Sequence, residues 1–150
     1  MSKGRRLLLA LLVVAVDAAS KAWANRALSP TRVRWLVGHW MGMQLLHNPG
    51  ATLGLGAGHP GIVTAVGLAG TAALTAVLLT QAKGGPGIAL MLGGAAGNVL
   101  SRLTAGAVTD FLRVYPWPGI FNLADVALRV GAVVFLIELI WAPGARTNPA

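Results

Sequence analysis

Four long apolar stretches lie along this chain, separated by segments rich in glycine, proline or charge. They lie at about 7–23, 62–79, 87–103 and 124–141. Each approaches the roughly 20 residues that a helix needs to cross the apolar core of a bilayer. The pattern therefore predicts four transmembrane helices in one polytopic domain covering 1–150, and an even number of spans puts both termini on one side.

The two longer segments between these stretches differ in character. The first, about 25–61, shows alternation at Val33, Trp35 and Val37 and ends in a glycine-rich run, which is typical of short strands and turns. The second joins the third and fourth stretches, and the two prolines and one glycine between Asp110 and Asp125 predict a loop that turns back on itself. We therefore predict a membrane all-α fold with a small β-rich appendage at 25–61.

Basic residues favour one orientation of this fold. Lys3, Arg5 and Arg6 precede the first stretch and Lys83 lies between the second and third, which favours cytoplasmic N- and C-termini. Several arginines in the longer segments then lie outside, so the charge bias is weak. The basic start also suits a cleaved signal peptide, but Asp17 occupies a region where cleavage needs small neutral residues.

Composition narrows the class of protein. The chain is 55% hydrophobic and only 11% charged, whereas a soluble domain carries about 25% charged residues. Its formal net charge is +8, but the basic residues are scattered, which favours anionic lipids over nucleic acid as partners. There is no cysteine, and the spacing of His39, His47 and His59 matches no helical ligand pair, so we expect neither a metal nor a cofactor.

The acidic residues are few and unusually placed. Three of the four lie among apolar neighbours, at Asp17, Asp110 and Asp125, where an ionised carboxylate is costly. Asp110 follows the third stretch and Asp125 opens the fourth, so the intervening turn brings both to one side of the membrane. Two carboxylates close together in a low-dielectric site share a proton, so that one serves as general base and the other as general acid in amide hydrolysis.

Several polar residues near this pair are candidates for support. Asn98 and Asn122 can donate and accept hydrogen bonds without adding charge, and Arg102 supplies a fixed positive charge. Asp17 and Lys21 are one helical turn apart, which favours a structural ion pair. Some of these residues also have a purely structural interpretation. Asp125 suits a helix N-terminus, and Asn48 with Gly50 suits an ordinary turn. Glycines at 93, 94 and 97 favour close helix packing.

Five short motifs give the chain a resemblance to the lipoprotein signal peptidase (signal peptidase II) family over nearly its whole length. They occur in the family's order at 17–21, 48–51, 97–102, 108–111 and 121–125. The resemblance implies an aspartyl endopeptidase of the bacterial inner membrane that uses no cofactor. Such an enzyme removes the signal peptide from prolipoproteins just before the diacylglyceryl-modified cysteine.

The resemblance also implies roles and partners. Asp110 and Asp125 would be the catalytic pair, the segment around 30–58 an extracytoplasmic β-cradle, and the 111–121 loop a cover for the site. Asn48, Asn98 and Asn122 would position the substrate and the carboxylates near the extracytoplasmic face. We expect a monomer whose partners are the lipid-modified prolipoprotein and membrane lipids.

The chain departs from the family pattern in two places. Ser101 stands where the family has aspartate before Arg102, and Thr52 and Leu53 stand where it favours alanine and phenylalanine. Ser101 leaves open a non-catalytic, lipoprotein-binding membrane scaffold. A small proton-coupled transporter would also use carboxylates within the membrane, but four short spans leave little room for alternating access.

Overall fold

The computed structural model describes residues 1–51, 54–81 and 84–141. Its helices are α1 (Lys3–Ala27), α2 (Pro60–Thr80), α3 (Gly87–Ala105) and α4 (Leu123–Trp141). Each predicted apolar stretch lies within one of these helices. The departures at Thr52 and Leu53, the basic residue Lys83 and the segment after Trp141 lie outside the described residues.

Three helices in the described part of the chain are long and apolar enough to cross a membrane, namely α1, α2 and α3. The fourth helix, α4, is similarly long, but it carries Asp125, Arg129 and Glu138. All three fall within any 18 consecutive residues of this helix, whereas α1 contains a stretch of that length with two charges. A helical membrane-type fold with three candidate spans is therefore established, and the fourth span stays a prediction.

A small antiparallel sheet lies at one end of the helices. Its strands are β1 (Arg34–Val37), β2 (Met41–Asn48), β3 (Val108–Val114) and β4 (Ile120–Phe121), and they pair in the order β1-β2-β3-β4. The predicted β-rich segment supplies only the first two strands. The prediction of a plain loop at 111–121 is wrong, because this segment and the residues before it form a hairpin that pairs with β2.

The physical reason for the extra strands is the exposed edge of β2. A two-strand ribbon leaves unpaired backbone N–H and C=O groups along that edge, and β3 satisfies them over its length. Leu46 lies opposite Asp110 in this pairing. Asp110 is therefore held inside a strand rather than carried on a loop.

Helix α3 lies at the centre of the bundle and packs against the other three helices. Close approach depends on its glycines, as the sequence predicted. A Cβ atom at Gly93 would lie 2.7 Å from the Ala10 carbonyl oxygen, and one at Gly94 would lie 2.4 Å from that of Ala124. The packing prediction is confirmed, because neither position has room for a side chain.

The two ends of the bundle differ. At the end that we call the sheet end, an apolar cluster of Ala24, Leu45 and Phe111 joins α1 to strands β2 and β3. At the opposite end, the fully buried Arg6 donates to the Gln81 carbonyl oxygen at 2.5 Å. Glu138 accepts there from the Gly87 backbone nitrogen at 2.9 Å, which satisfies one free N–H at the start of α3. The sheet end is thus closed by contacts between α1 and the sheet, and the opposite end by contacts that join different helices.

Large apolar side chains cover the outward faces of the helices. This arrangement differs from that of a water-soluble bundle and matches contact with lipid. Prominent examples are Leu8, Leu11, Val66, Leu103, Leu136 and Ile140.

The contact between α3 and α4 generates a stability prediction. A Cβ at Gly131 would lie 2.7 Å from the Met91 backbone nitrogen, so Gly131→Ala must push the helices apart. We expect a loss of about 1–3 kcal/mol in the free energy of unfolding. Thermal unfolding in detergent measures it, with Gly70→Ala as control, because a Cβ at Gly70 meets nothing within 4 Å. Equal midpoints for the two variants would contradict this account of the interface.

Candidate active site

Asp110 and Asp125 meet at the sheet end from two different elements. Asp110 lies in the middle of β3 and is 2% exposed, whereas Asp125 lies in the first turn of α4 and is half-buried. The neighbouring Phe111 packs edge-on against Trp23 of α1, with ring centroids 6.3 Å apart. Because side chains alternate along a strand, this contact directs Asp110 to the opposite face, toward the polar residues of the site.

Asn122 contacts both carboxylates. Its side-chain Nδ2 donates to Asp110 Oδ1 at 2.7 Å, and its backbone nitrogen donates to Asp125 Oδ2 at 3.3 Å. Its Oδ1 accepts from the Asp125 backbone nitrogen at 3.0 Å, which completes a reciprocal helix cap. Asp125 therefore also has the structural role at the helix start that its position suggested. One residue holds the two acids beside a common space.

Asn98 and Asn48 hold the remaining carboxylate oxygens. Asn98 Nδ2 donates to Asp125 Oδ1 at 2.8 Å, while its Oδ1 accepts from Asn122 Nδ2 at 3.1 Å. Asn48 Nδ2 donates to Asp110 Oδ2 at 3.1 Å. Each carboxylate oxygen thus accepts at least one hydrogen bond, which offsets part of the cost of burying it.

Gly50 and Arg102 position the turn that carries Asn48. The Gly50 backbone nitrogen donates to Asn48 Oδ1 at 2.9 Å, and a Cβ at Gly50 would lie 2.7 Å from the carbonyl oxygens of Gly54 and Leu55. Arg102 Nη2 donates to the Gly50 carbonyl oxygen at 2.7 Å. Arg102 therefore ties this turn to α3, and the turn requires glycine at position 50.

The predicted ion pair of Asp17 and Lys21 is present and connects to the site. Lys21 Nζ lies 2.7 Å from Asp17 Oδ2 and donates to Asn98 Oδ1 at 2.9 Å and Ser101 Oγ at 3.1 Å. Asp17 Oδ1 accepts from the Ala124 backbone nitrogen at 3.0 Å, at the start of α4. The pair thus supports the asparagine and the helix that position Asp125.

All of the predicted site residues lie in this one cluster: Asp17, Lys21, Asn48, Gly50, Asn98, Arg102, Asp110, Asn122 and Asp125. Sequence reasoning did not foresee two members. The Ala124 backbone nitrogen carries no sequence signal, and Ser101 was noticed only as a departure. The nearest sequence signal for the contact between Ala124 and Asp17 is Gly97, because a Cβ at that position would lie 2.7 Å from Asp17 Oδ2.

The protonation of Asp110 follows from its surroundings. Burial raises the pKa of the Asp110 carboxyl from its ordinary range to about 6, with a smaller contribution from the nearby Asp125. Hydrogen bonds from Asn48 and Asn122 act in the opposite direction but do not cancel the effect of burial. Asp110 therefore takes up and releases a proton near neutral pH.

Two cavities flank the pair. The first, which we call the helix groove, measures about 420 Å³, lies between α2, α3 and α4 and is mostly apolar except for Asn98, Arg102 and Asp125. The second, which we call the sheet cavity, measures about 570 Å³ and is lined by β2, the turn after it and the β3–β4 hairpin. Asn48 lines the sheet cavity and bonds to Asp110. Asp125 therefore lines the helix groove itself, whereas Asp110 adjoins the sheet cavity through Asn48.

Comparisons with known proteins agree with this arrangement. A family model described as signal peptidase (SPase) II matches residues 9–141. A lipoprotein signal peptidase from Moorella thermoacetica is 36% identical over 148 residues, which cover 93% of this chain and 95% of that protein. Another from Parasynechococcus marenigrum is 36% identical over 146 residues, covering 91% and 87% respectively.

Two solved structures of bacterial membrane enzymes, both determined by the in meso method, have a similar fold. One, at 2.3 Å resolution, has a TM-score of 0.85 with 24% identity and covers 98% of this chain and 94% of its own. The other, at 1.9 Å, has a TM-score of 0.80 with 26% identity and covers 92% and 94%. The helix bundle with its small sheet is therefore shared with these enzymes.

The raised pKa of Asp110 predicts how stability depends on pH. An unfolded aspartate has a pKa of about 3.9, so between this value and about 6 the folded state binds more protons than the unfolded state. The contribution of Asp110 to the free energy of unfolding is therefore greatest below this pH range and is lost as the pH rises through it. Asp110→Asn should flatten the decline in the unfolding midpoint between pH 4 and pH 7, measured in detergent. An identical decline in parent and variant would contradict the assignment.

Proposed function

This chain belongs to the signal peptidase II family, and from that membership we propose that it is an aspartic peptidase of the bacterial inner membrane. It removes the signal peptide from prolipoproteins just before the diacylglyceryl-modified cysteine. The observation that supports this proposal is the contact of Asn122 with both Asp110 and Asp125 at the end of an apolar groove. Hydrolysis of an amide by two carboxylates needs such a shared position.

In this proposal the two acids divide one proton between them. Asp110 carries it, because burial raises the pKa of that carboxyl to about 6. Asp125 acts as the general base and takes a proton from a water molecule, whose oxygen attacks the carbonyl carbon of the peptide bond. Asp110 donates its proton to the carbonyl oxygen. The proton on Asp125 then passes to the amide nitrogen. As the C–N bond breaks, one hydroxyl of the tetrahedral intermediate returns its proton to Asp110, which leaves an amine and a carboxylic acid.

The asparagines keep the acids in place during this cycle. Asn122 and Asn48 donate to Asp110, and Asn98 donates to Asp125, so neither carboxylate can rotate without losing a hydrogen bond. Lys21 in turn fixes Asn98 through its carbonyl oxygen. The site is thereby preorganised before substrate arrives.

The helix groove suits the apolar part of the substrate. Its walls include Val63, Val66 and Leu74 of α2, and Asp125 lies at its polar end. A signal peptide and two acyl chains are apolar, so they gain free energy by entering such a groove directly from the bilayer. Enzyme and substrate therefore meet by lateral diffusion in the membrane.

We include α4 as a fourth membrane span in this proposal, although it carries three charges. Asp125 belongs to the site at the sheet end, and Glu138 is bonded to Gly87 at the opposite end. Arg129 lies 5.5 Å from the ring centroid of Trp117 and 5.3 Å from that of Phe121, so its charge is drawn toward the sheet end. The middle of α4 is then left apolar.

The orientation follows from the basic residues at the start of the chain. Lys3, Arg5 and Arg6 lie at the end of the bundle away from the sheet, which the positive-inside rule assigns to the cytoplasm. The sheet and the two acids then lie at the extracytoplasmic face, where translocated prolipoproteins are found. We expect the protein to act as a monomer, because the cluster that holds the two acids is drawn from a single chain.

The departure at Ser101 does not favour a non-catalytic scaffold. Ser101 Oγ accepts from Lys21 at 3.1 Å and donates to the Gly97 carbonyl oxygen at 3.0 Å. Lys21 keeps its bonds to Asp17 and Asn98 at the same time. The hydroxyl therefore maintains the support of the dyad without a second carboxylate.

The first test replaces each acid in turn. Asp110→Asn and Asp125→Asn should each lower the rate of cleavage of a lipidated prolipoprotein by about 100-fold or more, because the variants lack the base or the acid. Purified protein in micelles and a gel-shift assay of the product measure this effect. Glu138→Gln is the matched control, since it removes an acid far from the site and keeps the acceptor for Gly87. Residual cleavage at the parental rate in either aspartate variant would overturn the proposal.

The second test concerns Ser101. Since the hydroxyl already accepts from Lys21, Ser101→Asp should leave the turnover number within about threefold of the parent, the range set by one hydrogen bond. The same cleavage assay measures it at saturating substrate. A tenfold gain would show instead that the natural serine limits the enzyme.

A further inference from the structure

The sheet cavity differs from the helix groove in what surrounds it. Residues of the sheet and its connecting turns line it, and no residue of α1–α4 does so among the described part of the chain. Its walls are Leu46, His47 and Asn48 of β2, Pro49, Gly54 and Ala57 of the following turn, and Arg113, Pro118, Gly119 and Ile120 of the hairpin. It therefore lies beyond the ends of the apolar helices, in the region that water reaches.

This cavity adjoins the site on the Asp110 side through one shared residue, Asn48. Asn48 lines it and donates to Asp110 Oδ2 at 3.1 Å. The helix groove, by contrast, reaches the site on the Asp125 side. A chain bound across both acids must therefore have one part among the helices and the other part against the sheet.

The charge in the sheet cavity is of one sign. Arg113 lines it, is exposed, and donates from Nη1 to Gln44 Oε1 at 3.0 Å. Within the described residues the one ion pair closer than 4 Å is that of Lys21 and Asp17, so no carboxylate neutralises Arg113 there. The guanidinium has further N–H donors beyond the one that Gln44 accepts. His47 adds an imidazole ring to the lining.

We propose that the sheet cavity binds the first residues after the lipidated cysteine, and that Arg113 makes the enzyme favour acidic side chains there. The proposal rests on the proposed function, because it assumes that the chain crosses the two acids. The apolar signal peptide occupies the helix groove, so the polar segment on the far side of the cut must leave through the sheet cavity. Arg113 is then a specificity-determining residue for this segment.

A polypeptide suits this cavity better than a lipid headgroup does. A headgroup stays attached to chains that lie beside the helices, yet no helix contributes to the described lining. Gly54 and Gly119 line the cavity without side chains, which leaves room for an extended chain. The net charge of +8 favours an acidic partner over a basic one.

The expected size of the effect is modest because Arg113 is exposed. A single solvent-exposed ion pair changes an equilibrium by up to about fivefold. Replacing an acidic residue of the substrate by a basic one exchanges attraction to Arg113 for repulsion. The ratio of kcat/KM between the two substrates should therefore be about fivefold or somewhat greater. Salt should lower that ratio, since charges in water are screened.

The test uses three synthetic substrates that share a signal sequence and a diacylglyceryl cysteine. They carry aspartate, serine or lysine at the two positions after the cysteine. With the full chain in micelles at low salt, kcat/KM should fall in that order. Arg113→Gln should bring the ratio of kcat/KM for the aspartate and lysine substrates close to one. Arg113→Lys should keep most of the parent's preference for aspartate. Arg34→Gln is the matched control, because Arg34 is exposed on β1 of the same sheet and does not line the cavity.

A parallel binding measurement separates this inference from the proposed function. Fluorescence anisotropy with the same three peptides and the Asp110→Asn/Asp125→Asn double variant should give affinities in the same order. Absence of cleavage by the parent, with the order of affinities preserved, would reject the enzyme and retain the charge preference. Equal kcat/KM values for the three substrates, or a ratio unchanged in Arg113→Gln, would overturn the inference. The inference would also be overturned if Arg113→Gln lowered kcat/KM equally for all three substrates and the loss depended on the phosphatidylglycerol content of bicelles. Arg113 would then bind a lipid headgroup instead.

Discussion

The cost of holding carboxylates among apolar helices governs this structure. Asp17, Asp110 and Asp125 cluster at the sheet end, and every one of them accepts hydrogen bonds from a neighbouring element. Asn98 and Asn122 make this possible, because a carboxamide donates to one acid with its nitrogen and accepts with its oxygen from another group. Without these two amides one oxygen of Asp110 and one of Asp125 would lose its donor, and an unsatisfied buried oxygen is far more costly than its hydrogen bond is stabilising.

The fold can be understood as the means of bringing these amides and acids to one place. Asn98 is on α3, and Asn122 closes the start of α4, so the two helices must approach closely. The glycines along α3 and Gly131 on α4 allow that approach because a Cβ at these positions would overlap backbone atoms of the neighbouring helix. The sheet supplies the remaining acid, since pairing with β2 holds Asp110 at a fixed height above the helices. Packing and chemistry therefore depend on the same small residues.

Much of this was predictable from sequence. The helices follow from apolar runs whose length matches a bilayer, and the carboxylates were conspicuous because so few acids occur and most lie among apolar neighbours. The β3–β4 hairpin was not predicted, because Pro116, Pro118 and Gly119 dominate the pattern of a segment whose strand character depends on β2. The roles of Ser101 and the Ala124 backbone nitrogen were not predictable either. Both depend on contact with α1, across more than 75 positions of the chain, which local pattern does not encode.

The two cavities complete this account, because they divide the surroundings of the acids by polarity. On the Asp125 side the walls are helical and mostly apolar, and on the Asp110 side they are strand, turn and hairpin with an exposed arginine. A prolipoprotein changes character at the bond that is cut, from an apolar signal peptide to a polar mature chain. An enzyme whose cavities change character at its two acids can use that change to set the register of the substrate. The position of the cut is then determined by the partition of the substrate between bilayer and water, as well as by contacts with the residues beside it.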